Sequence, residues 1–157
     1  MVAKILGICP GTKTIGIAVL YNRELLKWRK HIFKEKWSNR KFKRIVVLLE
    51  KVISDNDITE VAIKTPDEIP ISEAYIKVIG AINVLCEKRS IKPKFFTTSK
   101  LKDKFSHEKI NKAELFELIL RRYPELEVLT RQTINISRNA CVYEAVAAAS
   151  CINQSEA

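Results

Sequence analysis

The residues at KILGICPGTKTIGIAVL, positions 4–20, place a thiol where a fold can use one. An apolar run ends in Cys9, Pro10-Gly11-Thr12-Lys13 turns the chain, and a second apolar run follows. A strand end beside a tight turn is a place from which a rigid scaffold presents side chains for function. Within an apolar strand, a cysteine serves as a small buried hydrophobe. Next to a lysine ammonium it would instead be drawn toward thiolate, and so toward nucleophilic chemistry. Sequence leaves both readings open.

The second chemistry-bearing feature is electrostatic. Of 157 residues, 28 are Lys or Arg and 18 are Asp or Glu, giving a net charge of +10. Nine cations crowd into residues 27–44 (Lys27, Arg29, Lys30, Lys34, Lys36, Arg40, Lys41, Lys43 and Arg44) against one acid, Glu35. Such a field attracts a polyanion. Trp28, Phe33, Trp37 and Phe42 lie among these cations. Rings stack on bases or cover apolar surface, whereas Lys and Arg engage phosphates. We read the nine cations and Trp37 as nucleic-acid-binding residues, and Trp28 and Phe42 as core. A second stretch, Lys100, Lys102 and Lys104, extended by Lys109 and Lys112, is placed in a loop and diluted by Asp103 and Glu108.

The elements that must position these residues follow from periodicity. Apolar runs at 3–9 and 15–21 read as strands, and alternation over 24–34 reads as a half-exposed third. Links this short imply an antiparallel meander. Helical spacing over 38–54, with Ser38 or Asn39 as cap, is followed by a strand at 60–65 that Pro66 stops. A helix over 72–89, a strand over 94–98, a helix from Asn111 to just before Tyr123-Pro124 and a last helix over 137–152 complete the order. The reading is one α/β domain spanning 1–157, a mixed five-stranded sheet flanked by helices.

With that order in view, the chain resembles the RuvC-like Holliday-junction resolvases of the RNase H-like superfamily. Gly7-Ile8-Cys9-Pro10-Gly11-Thr12 matches a Gly-Ile-Asp-Pro-Gly-Thr motif, Ala62-Ile63-Lys64 an Ala-Ile-Glu motif, and Glu144-Ala145-Val146-Ala147 an Asp-Ala-hydrophobic-Ala motif. The resemblance covers nearly the whole chain and implies the strand order 3-2-1-4-5. It also implies that Cys9, Lys64 and Glu144 stand at the catalytic positions. In such enzymes, converging carboxylates hold two divalent ions about 3.5–4 Å apart that clamp the attacking and leaving oxygens. Magnesium requires hard oxygen ligands. A thiol is a poor substitute and an ammonium repels the ion.

Three carboxylates would carry −3, whereas neutral Cys9, Lys64 and Glu144 sum to zero. The expectation is a degenerate site in which Lys64 pairs with Glu144, with no metal or other cofactor and without nuclease activity. The alternative is a structure-selective endonuclease using Mg or Mn, rescued by Asp67 or Glu68. A further alternative is a non-catalytic scaffold. Cys9, Cys141, Glu144 and His107 form a chemically conceivable zinc set that no spacing rule supports. The expected partner is nucleic acid, with DNA, branched or duplex, favoured over RNA. The helix over 72–89 is apolar on more than one face, so it is a candidate homodimer surface, as the resemblance also implies. The four cysteines form no CxxC pair, no signal region opens the chain, and no stretch is long enough for a membrane span. A cytoplasmic location is therefore expected.

Overall fold

A computed structural model describes residues 3–68, 72–132 and 139–155. Three strands open the chain: β1 (Lys4–Cys9), β2 (Thr14–Tyr21) and β3 (Glu24–Ile32). β1 pairs antiparallel with β2, and β2 with β3. Asn22 and Arg23 join the last two as a two-residue loop, both at positive φ (52° and 67°). That geometry matches the twist of the strands on either side. α1 (Asn39–Asp55) then crosses to β4 (Glu60–Thr65), which lies parallel to β1. α2 (Glu73–Lys88) crosses to β5 (Lys94–Thr97), parallel to β4. The sheet order is β3-β2-β1-β4-β5, the order that the resemblance implied.

Strand alternation divides the core in two. Leu6 and Ile8 of β1, Ile15, Ile17 and Val19 of β2, and Val61 and Ile63 of β4 pack with α1 and α2. Ile5, Ala18, Leu20 and Ala62 face the other way, toward α6 (Ala140–Ser155). On that side α6 lies almost directly on the sheet. A Cβ on Gly7 would fall 2.0 Å from the carbonyl oxygen of Ala145, and one on Gly16 2.2 Å from that of Cys141. The two glycines and the run Ala145 to Ala149 remove the side chains that would hold the layers apart. Tight seating fixes where Glu144 projects.

Two helices were not apparent in the sequence. Residues 98–105 form α3 rather than a loop, capped by Thr97 and anchored by buried Leu101. α4 (Lys112–Arg122) carries the expected capping box: Asn111 Oδ1 accepts from Glu114 N at 2.8 Å, and Glu114 Oε1 from Asn111 N at 3.2 Å. A 3₁₀ turn over 124–126 leads into the short α5 (Glu127–Gln132). The expected start of the last helix at 137 lies outside the described residues, as does Arg138 at its head. No described helix is long and apolar enough to cross a membrane.

Candidate functional site

The three positions singled out in the sequence come together. Gly7 pairs with Ala62 and Ile8 with Ile63, so one residue further along the parallel strands Cys9 and Lys64 stand side by side. Both have the parity of residues that face α6. From α6, Glu144 reaches down, and its Oε2 takes an ion pair from the Lys64 ammonium. The pair is enclosed, with side-chain exposures of 13% for Lys64 and 4% for Glu144. Among the described residues Oε2 has no further hydrogen-bond partner, so its compensation there is the Lys64 ammonium.

A fourth member was not foreseen. Lys112, at the start of α4, approaches Glu144 Oε1 at 3.5 Å with half of its side chain in solvent. A cation in the first turn of a helix opposes the macrodipole. Here the buried carboxylate of Glu144 offsets that cost. The capping box places Lys112 on the helix, but no spacing in the sequence links it to α6.

Cys9 is a half-buried thiol. Burial pushes it up to about 12; the Glu144 carboxylate adds to this, and Lys64 opposes it only in part. Burial and the carboxylate together outweigh the neighbouring ammonium, which weighs against the thiolate reading. Cys141, also raised by burial, lies close enough to sense Cys9 and Glu144. Tyr75 of α2 senses Cys9 as well, and its hydroxyl is buried without a hydrogen-bond partner among the described residues.

The donors present do not fit a two-metal magnesium site. One carboxylate, a protonated thiol and two ammonium groups carry a net +1, which repels a divalent cation rather than holding it. Asp67 does not move in to replace a lost acid. It binds Ser99 instead, accepting from its N and its Oγ at 2.9 Å each, and so ties the end of β4 to α3. These bonds hold its carboxyl below the usual range. Glu68 is exposed beside it. Among the described residues no three His, Cys, Asp or Glu side chains gather around a point that could hold a metal ion. The set Cys9, Cys141, Glu144 and His107 is therefore not assembled.

The basic segment is divided by the pleat. Lys30 pairs with Gly16, which pairs with Cys9, so these three form one row on the α6 side, and Lys30 is felt electrostatically by Cys141. Lys27 and Arg29 have the opposite parity and line a groove with Lys51 and Asp55 of α1. Lys34, Lys36, Arg40, Lys43 and Arg44 are exposed. The first turn of α1 contains no acid, so its cations reinforce the positive end of the helix dipole.

Lys41 is a correction to the surface set. It is 3% exposed, and its Nζ donates to the Glu35 carbonyl at 2.8 Å, closing the loop before α1. Arg44 pairs with the Glu35 carboxylate and covers the Phe33 ring, 5.6 Å from its centroid. Trp37 is half-buried against Phe42, with ring centroids 6.0 Å apart. Trp28 packs partly buried against the α6 side of the core. Lys100 and Lys104 are exposed on α3, and Lys102 is half-buried there.

No protein-family model matches the sequence, and comparison with curated proteins finds no relative. Solved structures do match. RuvC of Thermus thermophilus, in complex with a Holliday junction substrate, superposes with a TM-score of 0.71 at 16% identity, covering 94% of this chain and 90% of that one. A second Thermus thermophilus RuvC structure gives the same score and identity over 95% and 90%. The yeast mitochondrial Holliday junction resolvase Ydc2 gives a TM-score of 0.62 at 12% identity, over 94% and 76%. At such identities the likeness speaks for architecture, and on that ground the chain has the RuvC-like, RNase H-like fold.

Proposed function

We propose that this chain is a nucleic-acid-binding protein that does not hydrolyse its ligand, with branched or duplex DNA favoured over RNA. One observation carries the reading: a Lys64–Glu144–Lys112 ion cluster occupies the end of β1 and β4 beneath α6. By the resemblance, that is where such enzymes gather carboxylates. Phosphate contacts come from Lys30 beside the cluster, from Lys34 and Lys36 beyond it, and from Lys100, Lys102 and Lys104 on α3. The solved neighbours that bind or resolve Holliday junctions support a junction as the first ligand to test.

The experiment compares a four-way junction with a duplex of the same sequence, by fluorescence anisotropy for binding and by gel for cleavage. Binding of the junction in EDTA equal to that in manganese, with no cleavage in either, is the expected result. Manganese-dependent cleavage would establish the endonuclease reading instead. A second copy of the chain is proposed to dock on α2, where Ile76 and Val84 are exposed and no atom lies within 4 Å of a Cβ built at Gly80. Ile76→Glu is expected to convert a dimer to a monomer in sedimentation.

A further inference from the structure

Away from the ion cluster, the end of β3 and the outer side of α1 enclose an open groove of about 660 Å³. Its walls combine two chemistries. Ile32 and Val47, 54% and 64% exposed, lie there with Phe33 and Leu48, so aliphatic surface gathers in one place. Arg40, Lys43 and Arg44 form a cationic rim. Single exposed aliphatics are ordinary on a protein surface, but a cluster framed by like charges marks a place of contact. His31 also lines the groove, and its Nε2 is buried with no hydrogen-bond partner among the described residues.

We propose that this groove docks an acidic segment of a partner protein, which inserts an apolar side chain between Ile32 and Val47 while its carboxylates meet Arg40, Lys43 and Arg44. Charge complementarity chooses the occupant. A second copy of the chain, with 28 Lys and Arg against 18 Asp and Glu, has little acidic surface to offer the rim, and its proposed docking face is α2. A nucleic acid strand would satisfy the cations but not the floor. Bases stack on aromatic faces, and of the two rings in the groove Phe33 is buried beneath the Arg44 guanidinium and His31 is half-buried with its Nε2 out of solvent. Ile32 and Val47 would then stay in water. An acidic peptide with an apolar anchor satisfies both chemistries. Interfaces of this type draw much of their affinity from a central anchor surrounded by polar contacts.

The test is selection of random displayed peptides on the full-length protein, followed by affinity measurement with the selected peptides synthesised and labelled. Selected sequences are expected to combine Asp or Glu with a large apolar residue. Val47→Asp, an exposed change in mid-helix, should weaken their binding by about tenfold or more, and Val47→Leu should preserve it. Junction binding should be the same in Val47→Asp as in the parent, so a failure here is separable from a failure of the nucleic-acid reading. Three results would each overturn the proposal: no enriched peptide, enriched peptides without acids, or equal binding by Val47→Asp. Loss of junction binding in that variant would reassign the groove to nucleic acid, and would overturn it too.

Discussion

The ion cluster beneath α6 and the groove beside α1 are both built around cations, yet they differ in where the answering charge comes from. In the cluster, Glu144 is matched inside the chain by Lys64 and Lys112. In the groove, Glu35 pairs with Arg44, and no ion pair to Arg40 or Lys43 is found among the described residues. Charges compensated in a buried place set stability, because losing one partner strands the other in low dielectric. Exposed, uncompensated charges cost the fold little and act on whatever approaches. Substitutions in the first region should therefore register in unfolding, and those in the second in binding.

The largest effect expected is at the enclosed pair. Lys64→Met leaves Glu144 with only the half-exposed Lys112 and should cost about 3–5 kcal/mol in urea unfolding. Glu144→Gln should cost a similar amount, because it strands the Lys64 ammonium. The double variant should recover much of the loss, and a double-mutant cycle reads the coupling directly. Lys112→Met should cost far less, since solvent already screens that contact. Additivity in the Lys64–Glu144 cycle would remove the distinction between the two regions.

The cluster can also be inverted. Cys9→Asp with Lys64→Glu places three carboxylates where the net charge is now positive. The variant should be destabilised in EDTA by their repulsion and recover its melting temperature with manganese, as the ion replaces the lost ammonium. Calorimetry should register manganese binding in this variant and little in the parent. Comparable affinity in the parent would mean that Lys64 and Lys112 do not close the site to cations.

The sequence made the cluster legible and the groove not, for a physical reason. Cys9 and Lys64 lie at or next to the ends of β1 and β4, where alternation fixes facing, and Glu144 sits in the second turn of α6, where the motif fixes position. The sheet order and most element boundaries were readable on the same grounds. α3 and α5 were missed because eight- and six-residue helices offer too few turns to establish a period. Lys112 was missed because its tie to Glu144 joins helices distant in sequence. Residues 27–44 read as one basic block because charge counts ignore direction. The pleat and the loop before α1 send its members to a strand row beside Cys9, to two grooves, and, for Lys41, into the interior.

Lys41 and Arg40 are adjacent in sequence and differ only in that respect, so they sharpen the contrast at a smaller scale. Lys41→Ala removes a buried charged donor from the Glu35 carbonyl and should cost about 1.5–3 kcal/mol of stability. The salt dependence of junction binding should be unchanged. Arg40→Ala should alter stability by no more than about 0.5 kcal/mol. It should instead weaken binding of the acidic peptides selected on the groove, which Lys41→Ala leaves unchanged. The reverse assignment would place Lys41 at the surface.

The smallest expected effect is that of His31, where the two kinds of behaviour meet in one residue. Burial, helped by the Arg29 guanidinium, holds its imidazole below the ordinary value of 6.5. A folded pKa below the unfolded one means that the unfolded chain takes up the proton first as pH falls. Stability attributable to the neutral ring is therefore present above about pH 6.5 and is lost progressively as pH drops through that value and on to the lowered folded one. The ring is only partly buried, so the loss should amount to a fraction of a kcal/mol. Arg40, Lys43 and Arg44 line the same groove. The measurement is urea unfolding of the parent and His31→Asn across mildly acidic pH, where carboxylates common to both cancel in the difference. The parent should lose stability relative to the variant as pH falls. A protonated ring that stabilised the fold instead would reverse the sign and put an acid beside Nε2.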